Sequence, residues 1–444
     1  MAGAPTQANI DIRAALAEAE ELYRARNPKS LAQHREACAA MPGGNTRSAI
    51  HVDPFPLTIG RGEGARLWDI DGHEYADFLS EFTAGIYGHS HPAIRAAIDR
   101  ALAEGLNFGA HNAAEARFAA AVCARFPSID LVRFTNSGTE ANLMAVSAAR
   151  AITGRPKVLV FKGGYHGGVF YFRGHGSALN APFEYLLGQY NDLAAVEALV
   201  RPHRGELAAI LVEPMQGTTG CIPADRPFLA GLRALADETG ALLIFDEVMT
   251  SRLAPGGLQE VHGILPDLTT LGKYVGGGMS FGAFGGRADI MERFDPRRPD
   301  AFQHAGTFNN NLLTMHAGLV GLTEIYTPER ARALNAAGDR LRERLNAIGR
   351  HHRLPMQFTG LGSMIAVHMT DRPIRSQDDA EHGNAALRDL LWFDLVARGV
   401  WFAKRGMFAL SIALDDADHD KLTDAVEDFA QTRAPLFKAV GSFS

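Results

Sequence analysis

Three unbroken apolar runs, Val158-Leu159-Val160-Phe161, Ala209-Ile210-Leu211-Val212 and Leu242-Leu243-Ile244-Phe245, constrain this 444-residue chain more than any other feature. Each is short and lacks polar alternation, so both faces of the strand need covering. Helix-like segments lie between the runs. Strands alternating with helices build an α/β fold, a mostly parallel sheet covered by helices. Such sheets collect ligands at the carboxyl ends of their strands. Two of those ends carry carboxylates: Glu213-Pro214 follows the second run and Asp246 follows the third.

The flanking segments read differently. The first ~40 residues are helical, with Ile12 to Arg26 rich in Ala, Leu and Glu until Pro28 breaks it. Pro42-Gly43-Gly44-Asn45 is a turn. Leu57-Thr58-Ile59 and Ala65-Arg66-Leu67-Trp68 alternate like strands around Gly60 to Gly64, and Asp71-Gly72 marks a hairpin. Beyond about residue 325 come a long helix (Pro328 to Ile348), a strand (Met364 to Val367), another helix and a strand (Phe408 to Ile412), a smaller α+β unit. The division expected is an N-terminal segment 1–70 packing with the small domain, a large domain 71–325, and a C-terminal small domain 326–444. A net charge of −6 argues against a nucleic-acid binder or a polybasic membrane-surface protein. Cys38, Cys123 and Cys221 have no CxxC spacing, which reads as reduced thiols in a cytoplasmic setting. Neither a leader-like start nor an apolar run of membrane-spanning length is seen.

At the sheet edge, Thr269-Thr270-Leu271-Gly272-Lys273-Tyr274-Val275-Gly276-Gly277 ends an apolar, Thr-rich run in a lysine and follows it with glycines that let backbone or ligand approach closely. Between Asp246 and Lys273 there is room for a loop, a short helix and a return strand. A buried lysine with a separate carboxylate suits pyridoxal phosphate: an amine for a Schiff base and an anion for the pyridinium nitrogen. Asn136-Ser137-Gly138-Thr139-Glu140-Ala141-Asn142 opens a helix (Leu143 to Ile152) whose unpaired N–H groups form a phosphate cradle, or else an ordinary N-cap. In Gly163-Gly164-Tyr165-His166-Gly167-Gly168, Tyr165 is placed to stack on a planar ring or simply to pack. His166 has no nucleophile to pair with, and Glu247 reads as a solvated strand-end residue. A hydrolase triad lacks its GxSxG elbow, and a dinucleotide oxidoreductase lacks its GxGxxG.

With these segments assembled, the chain resembles the class III aminotransferases of the pyridoxal-phosphate fold type I superfamily, over roughly residues 35 to 425. Two branches share its motifs. Glutamate-1-semialdehyde aminomutases share Asn136 to Ala141, Tyr165-His166-Gly167 and Gly276-Gly277-Gly278-Met279. Bacterial β-phenylalanine aminotransferases match more closely, through Thr135 to Asn142, Asp246-Glu247-Val248-Met249-Thr250-Ser251-Arg252 and Gly306-Thr307-Phe308-Asn309-Asn310-Asn311. The resemblance implies that Lys273 attaches the cofactor and that Asp246 pairs with its ring nitrogen. Tyr165 and Val248 would sandwich the ring, and Glu213 would stand behind the pocket. Ser137, Gly138 and Thr139 would hold the phosphate, joined by Thr307 from the other subunit of a homodimer. It implies amino transfer from an aromatic β-amino acid to a keto acid (2-oxoglutarate or pyruvate), with aminomutase chemistry or another ω-amino acid transamination as alternatives.

For the substrate, a β-amino acid places its carboxylate one carbon farther from its amine than an α-amino acid does, so Arg47 in the turn Pro42 to Ser48 is the candidate anchor. Phe82, Tyr87 and Met249 are expected to offer apolar contact, with core packing the alternative for Phe82 and Tyr87. Arg405, beside Gly406 at a strand start, is expected to fork onto the acceptor's carboxylate, the alternative being a surface arginine.

Overall fold

In a computed structural model, residues 11–439 are described; the start of the chain, where the expectation of no leader rests, and residues 440–444 lie outside them. The central sheet has seven strands: β1 (Leu131–Thr135), β2 (Lys157–Phe161), β3 (Glu184–Gly188), β4 (Leu207–Val212), β5 (Leu242–Asp246), β6 (Leu268–Gly272) and β7 (Gly282–Gly286). Their order is β1-β7-β6-β5-β4-β2-β3. Only β7 runs against its neighbours, pairing antiparallel with β6 and β1. The three apolar runs are the adjacent strands β2, β4 and β5.

Period-two alternation sorts their side chains into two cores. Leu159, Phe161, Ile210, Val212, Leu243 and Phe245 pack on one face with Leu229 and Leu232 of the helix Arg226–Thr239. Val158, Val160, Ala209, Leu211 and Ile244 pack on the other with Ala141, Ala145, Val146 and Ala149 of the helix Gly138–Thr153. That helix starts five residues before the expected Leu143, because Ser137 caps it: its Oγ accepts from Glu140 N at 3.2 Å.

The helix Ile12–Arg26 has the expected ends, and Pro28 opens a second helix, Pro28–Cys38, instead of only breaking the first. Tyr23 lies 5.6 and 5.5 Å from the rings of Trp392 and Phe393, joining the chain's start to its C-terminal part. The first strand there is Ile59–Glu63, so Gly60 and Gly62 lie inside the strand where a connection was expected, and Leu57-Thr58 lies outside it. Arg66–Asp69 and Glu74–Asp77 form the hairpin around Gly72, and Val400–Trp401 adds to Glu74–Asp77 in parallel. Gln357–Leu361, Met364–His368 and Met407–Ala409 make a three-stranded sheet whose last strand stops short of the expected Ile412. No described helix is long and apolar enough to cross a membrane.

Candidate active site

The carboxyl ends of β2, β4, β5 and β6 share one edge of the sheet, and a cavity of about 330 Å3 opens there. Ser137, Gly138, Thr139, Tyr165, Glu213, Asp246, Val248, Met249, Lys273 and Arg47 line it, so the structure brings together most of the residues singled out in the sequence. The helix Gly138–Thr153 points its first turn at the cavity, with N–H groups that no carbonyl of its own can reach. A Cβ on Gly138 would lie 2.8 Å from Val248, so only glycine lets that turn come up against the cavity wall. By contrast, Gly277 serves packing: a Cβ there would lie 2.3 Å from the Ala317 backbone.

Asp246 is 4 % exposed and closely held. Its Oδ2 accepts from His166 Nδ1 at 2.7 Å and from Asn142 Nδ2 at 2.9 Å, and its Oδ1 accepts from Val248 N at 3.0 Å. Thr270 Oγ1 donates to Asn142 Oδ1 at 2.7 Å, which turns the Asn142 amide toward Asp246. Oδ1 therefore keeps accepting capacity on the cavity side. His166, set aside in the sequence for want of a nucleophile, is the positioning residue of this carboxylate. The signal for it was its place next to Tyr165 in a glycine-flanked loop.

Lys273 follows β6 with a left-handed φ of 54°, a costly conformation for a lysine and one that clusters at functional sites. Burial pushes its amine down to about 8, against the upward pull of Asp246 and with help from Arg405. Burial also raises the Glu213 carboxyl to about 7, although nearby His166 and bonds from Tyr165 N (2.9 Å) and Gly217 N (3.1 Å) favour its charge.

Two expectations change, those for Glu247 and Tyr87. Glu247 is not solvated: it is fully buried and accepts from Leu258 N, Gln259 N and Thr250 Oγ1 at 2.8–2.9 Å, capping the loop after β5. Tyr87 is a core residue away from the cavity, its hydroxyl donating to Tyr274 O at 2.9 Å. Phe82 does not line the cavity but sits at its mouth, with Arg47 Cζ 5.6 Å and Arg405 Cζ 4.7 Å from its ring centroid. Thr307 is exposed on a loop outside the cavity, tied to its rim by Asn136 Nδ2 donating to Asn309 Oδ1 at 2.9 Å. Arg405 is no surface arginine: it is largely buried, its Nη2 reaches Met407 Sδ at 3.3 Å, and it has no carboxylate partner among the described residues. Burial, then Arg173, push its guanidinium down to about 10, which an arriving anion would relieve.

The residues fit pyridoxal phosphate. A lysine amine with lowered proton affinity, a fixed carboxylate with a free acceptor site, and a helix start bare of side chain at Gly138 meet in one cavity.

The family model for class-III aminotransferases matches residues 48–429. The chain is 52% identical to the β-phenylalanine transaminase of Variovorax paradoxus over 96% of its own length and 97% of the relative's. The crystal structure of the β-phenylalanine aminotransferase from that organism superposes with a TM-score of 0.94, covering 95% of this chain and 98% of that one. A glutamate-1-semialdehyde 2,1-aminomutase of Exiguobacterium sibiricum is 36% identical over 90% of this chain and 96% of the relative. A solved transaminase with PLP bound is 31% identical, with a TM-score of 0.85 over 94% of this chain and 99% of that one. The chain belongs to the class-III aminotransferases, transaminases of fold type I that work with pyridoxal phosphate.

Proposed function

We propose that this transaminase takes the amino group of an aromatic β-amino acid of the β-phenylalanine type and passes it to a keto acid. The observation that carries this is the pair of arginines on one aromatic ring at the cavity mouth: Arg47 and Arg405 both face Phe82. Donor and acceptor each bring a carboxylate at a different reach from the reacting amine, so two cationic anchors suit one site. The close kinship with the Variovorax enzyme, which is named for β-phenylalanine, supports the same substrate class.

When bound, pyridoxal phosphate supplies an electron sink that acidifies the carbon bearing the substrate's amine. Lys273 would hold it covalently, Asp246 would meet its ring nitrogen, Tyr165 and Val248 its two faces, and Ser137, Gly138 and Thr139 its phosphate. Lys273 Nζ then moves the proton at the amine-bearing carbon, as a tethered base whose lowered affinity suits neutral pH. His166 and Asn142 keep the Asp246 carboxylate fixed in place, with Glu213 behind the pocket. Met249 and Phe82 offer apolar surface to the donor's ring.

A homodimer completes the site in this proposal. Leu102, Leu106, Phe108 and Phe308 are about half exposed, an apolar patch of a kind that marks interfaces. The loop carrying Phe308 is held to it by Leu312 N donating to Leu106 O at 3.2 Å and Asn310 Nδ2 donating to Ala110 O at 3.2 Å. Thr307 lies on this loop and would serve the neighbouring subunit's phosphate. Large-domain residues 71–325 carry the cofactor site, and the small domain brings Arg405. Three free cysteines accord with a cytoplasmic setting.

The test separates the two anchors. A charge-assisted contact contributes about 1.5–3 kcal/mol, so Arg47→Ala is expected to cost about ten- to a hundredfold in kcat/KM for β-phenylalanine. Arg405→Ala is expected to weaken 2-oxoglutarate more than pyruvate. Unchanged β-phenylalanine kinetics in the first variant, or equal losses for both acceptors in the second, count against direct contact.

A further inference from the structure

The two arginines at the cavity mouth are not equivalent. Arg405 has no carboxylate partner among the described residues, whereas Arg47 Nη2 stands 2.5 Å from Glu81 Oε1. Among the described residues the Glu81 carboxylate has no other side-chain hydrogen bond or ion pair, and both partners are about half exposed, at 50% and 56%. Glu81 thus occupies the group that would receive the donor's carboxylate.

The backbone that presents Glu81 is unusual. Ser80, Glu81, Phe82 and Thr83 all have left-handed φ, at 46°, 47°, 52° and 83°, and none is glycine. Such a run is costly for residues with side chains and persists only where its surroundings over-determine it. They do so here. Asp77 Oδ1 accepts from Leu79 N and Ser80 N, both at 2.9 Å, and Ser80 Oγ donates to Ala409 O at 3.0 Å. At the far end Thr83 O accepts from the buried Arg252 Nη1 at 3.2 Å. Both ends of the turn are anchored in the core, and its middle holds one carboxylate and one aromatic ring at the mouth.

We infer that Glu81 is a specificity-determining residue, a resident counter-ion for Arg47 that the carboxylate of a β-amino acid displaces and that returns whenever the site holds a ligand with no carboxylate at that reach. Two binding situations share one cavity. With a β-amino acid bound, its carboxylate neutralises Arg47 and Glu81 turns to solvent, which its half-exposed position permits. With a keto acid whose carboxylate is held at Arg405, or with an amine that has no carboxylate, Arg47 would be left without a ligand carboxylate, and Glu81 neutralises it. Exchanging one carboxylate for another at an exposed arginine costs little, because exposed pairs are weak. Glu81 thereby lowers the discrimination against ligands without the donor's carboxylate while taxing the donor slightly.

This inference rests on Arg47 as the donor anchor, and the experiment tests the two separately. The probe is 3-phenylpropionate, which has the donor's ring and carboxylate but no amine, titrated calorimetrically into the holoenzyme. Glu81→Gln is expected to tighten it about two- to fivefold, the worth of an exposed ion pair. The same variant is expected to raise the ratio of kcat/KM for β-phenylalanine over 1-phenylethylamine by a similar factor. Arg47→Ala is expected to weaken the probe, and adding Glu81→Gln to it to change nothing more. A merely structural Glu81 would give the opposite sign, looser binding through a disordered Arg47. Weaker or unchanged binding in Glu81→Gln, with Arg47→Ala still weakening the probe, overturns the counter-ion and leaves the anchor standing. Unchanged binding in Arg47→Ala overturns the anchor itself.

Discussion

Replacing Lys273 with alanine is expected to lower turnover by about three orders of magnitude or more, because it removes both the attachment point and the proton-moving base. General-base action alone contributes about 10²–10⁴-fold. Reducing the wild-type holoenzyme with borohydride and mapping its peptides is expected to place the pyridoxyl group on Lys273, and finding it on another lysine refutes the assignment. The amine also sets a pH dependence. Because burial lowers its proton affinity, the reactive neutral form is reached as pH rises through about 8 instead of about 10.5. At pH 7 about a tenth of such amines are neutral, against roughly three in ten thousand at the ordinary value. Cofactor reloading of stripped enzyme, followed by absorbance, is therefore expected to speed up with pH and level off above about 8. A rate that keeps climbing toward pH 10 contradicts a lowered Lys273.

A second large effect is expected in stability, at Arg252. Its side chain is fully buried with no carboxylate partner among the described residues. It donates instead to Ser363 Oγ at 3.0 Å, to Thr83 O at 3.2 Å and to Leu410 O. Its own carbonyl accepts from Tyr326 Oη at 2.6 Å and Asn335 Nδ2 at 2.8 Å. This single residue, in the segment that follows β5, thus ties together the turn at the cavity mouth, the three-stranded sheet and the long helix Pro328–His352. Arg252→Ala leaves several buried acceptors unpaired and a cavity behind, each unpaired group costing about 1–3 kcal/mol. A total loss of roughly 3–5 kcal/mol is expected, read as a clear drop in calorimetric Tm. A Tm within a degree of the wild type would mean that the turn and the three-stranded sheet hold together without the Arg252 side chain.

The contrast between Lys273 and Arg252 shows what the sequence can reveal. Strands β2, β4 and β5 were legible because burial on both faces leaves an unbroken apolar run, and their ends fixed where Asp246 and Glu213 stand. Lys273 stood out because an apolar strand running into a lysine and then glycines has few structural explanations. Arg252 and Asn142 act through partners far along the chain, and nothing local foretells them: Arg252 reaches Thr83 and Ser363, and Asn142 reaches Asp246. Glu247 was misjudged because a carboxylate next to a strand end is usually solvated, whereas here three donors from its own loop surround it. The turn Ser80–Thr83 was invisible for a different reason. Left-handed backbone is foreseeable from glycine or asparagine, and this run has neither.

The most direct measurement of the central claim is a single half-reaction. Holoenzyme is mixed with one equivalent of β-phenylalanine and no acceptor, and the cofactor's absorbance and the keto product are followed together. The result expected is conversion of the cofactor to its amine form with one equivalent of β-keto acid released per site, and recovery of the original spectrum when 2-oxoglutarate or pyruvate is added. An unchanged spectrum with β-phenylalanine, alongside efficient conversion of glutamate-1-semialdehyde to 5-aminolevulinate, would contradict it.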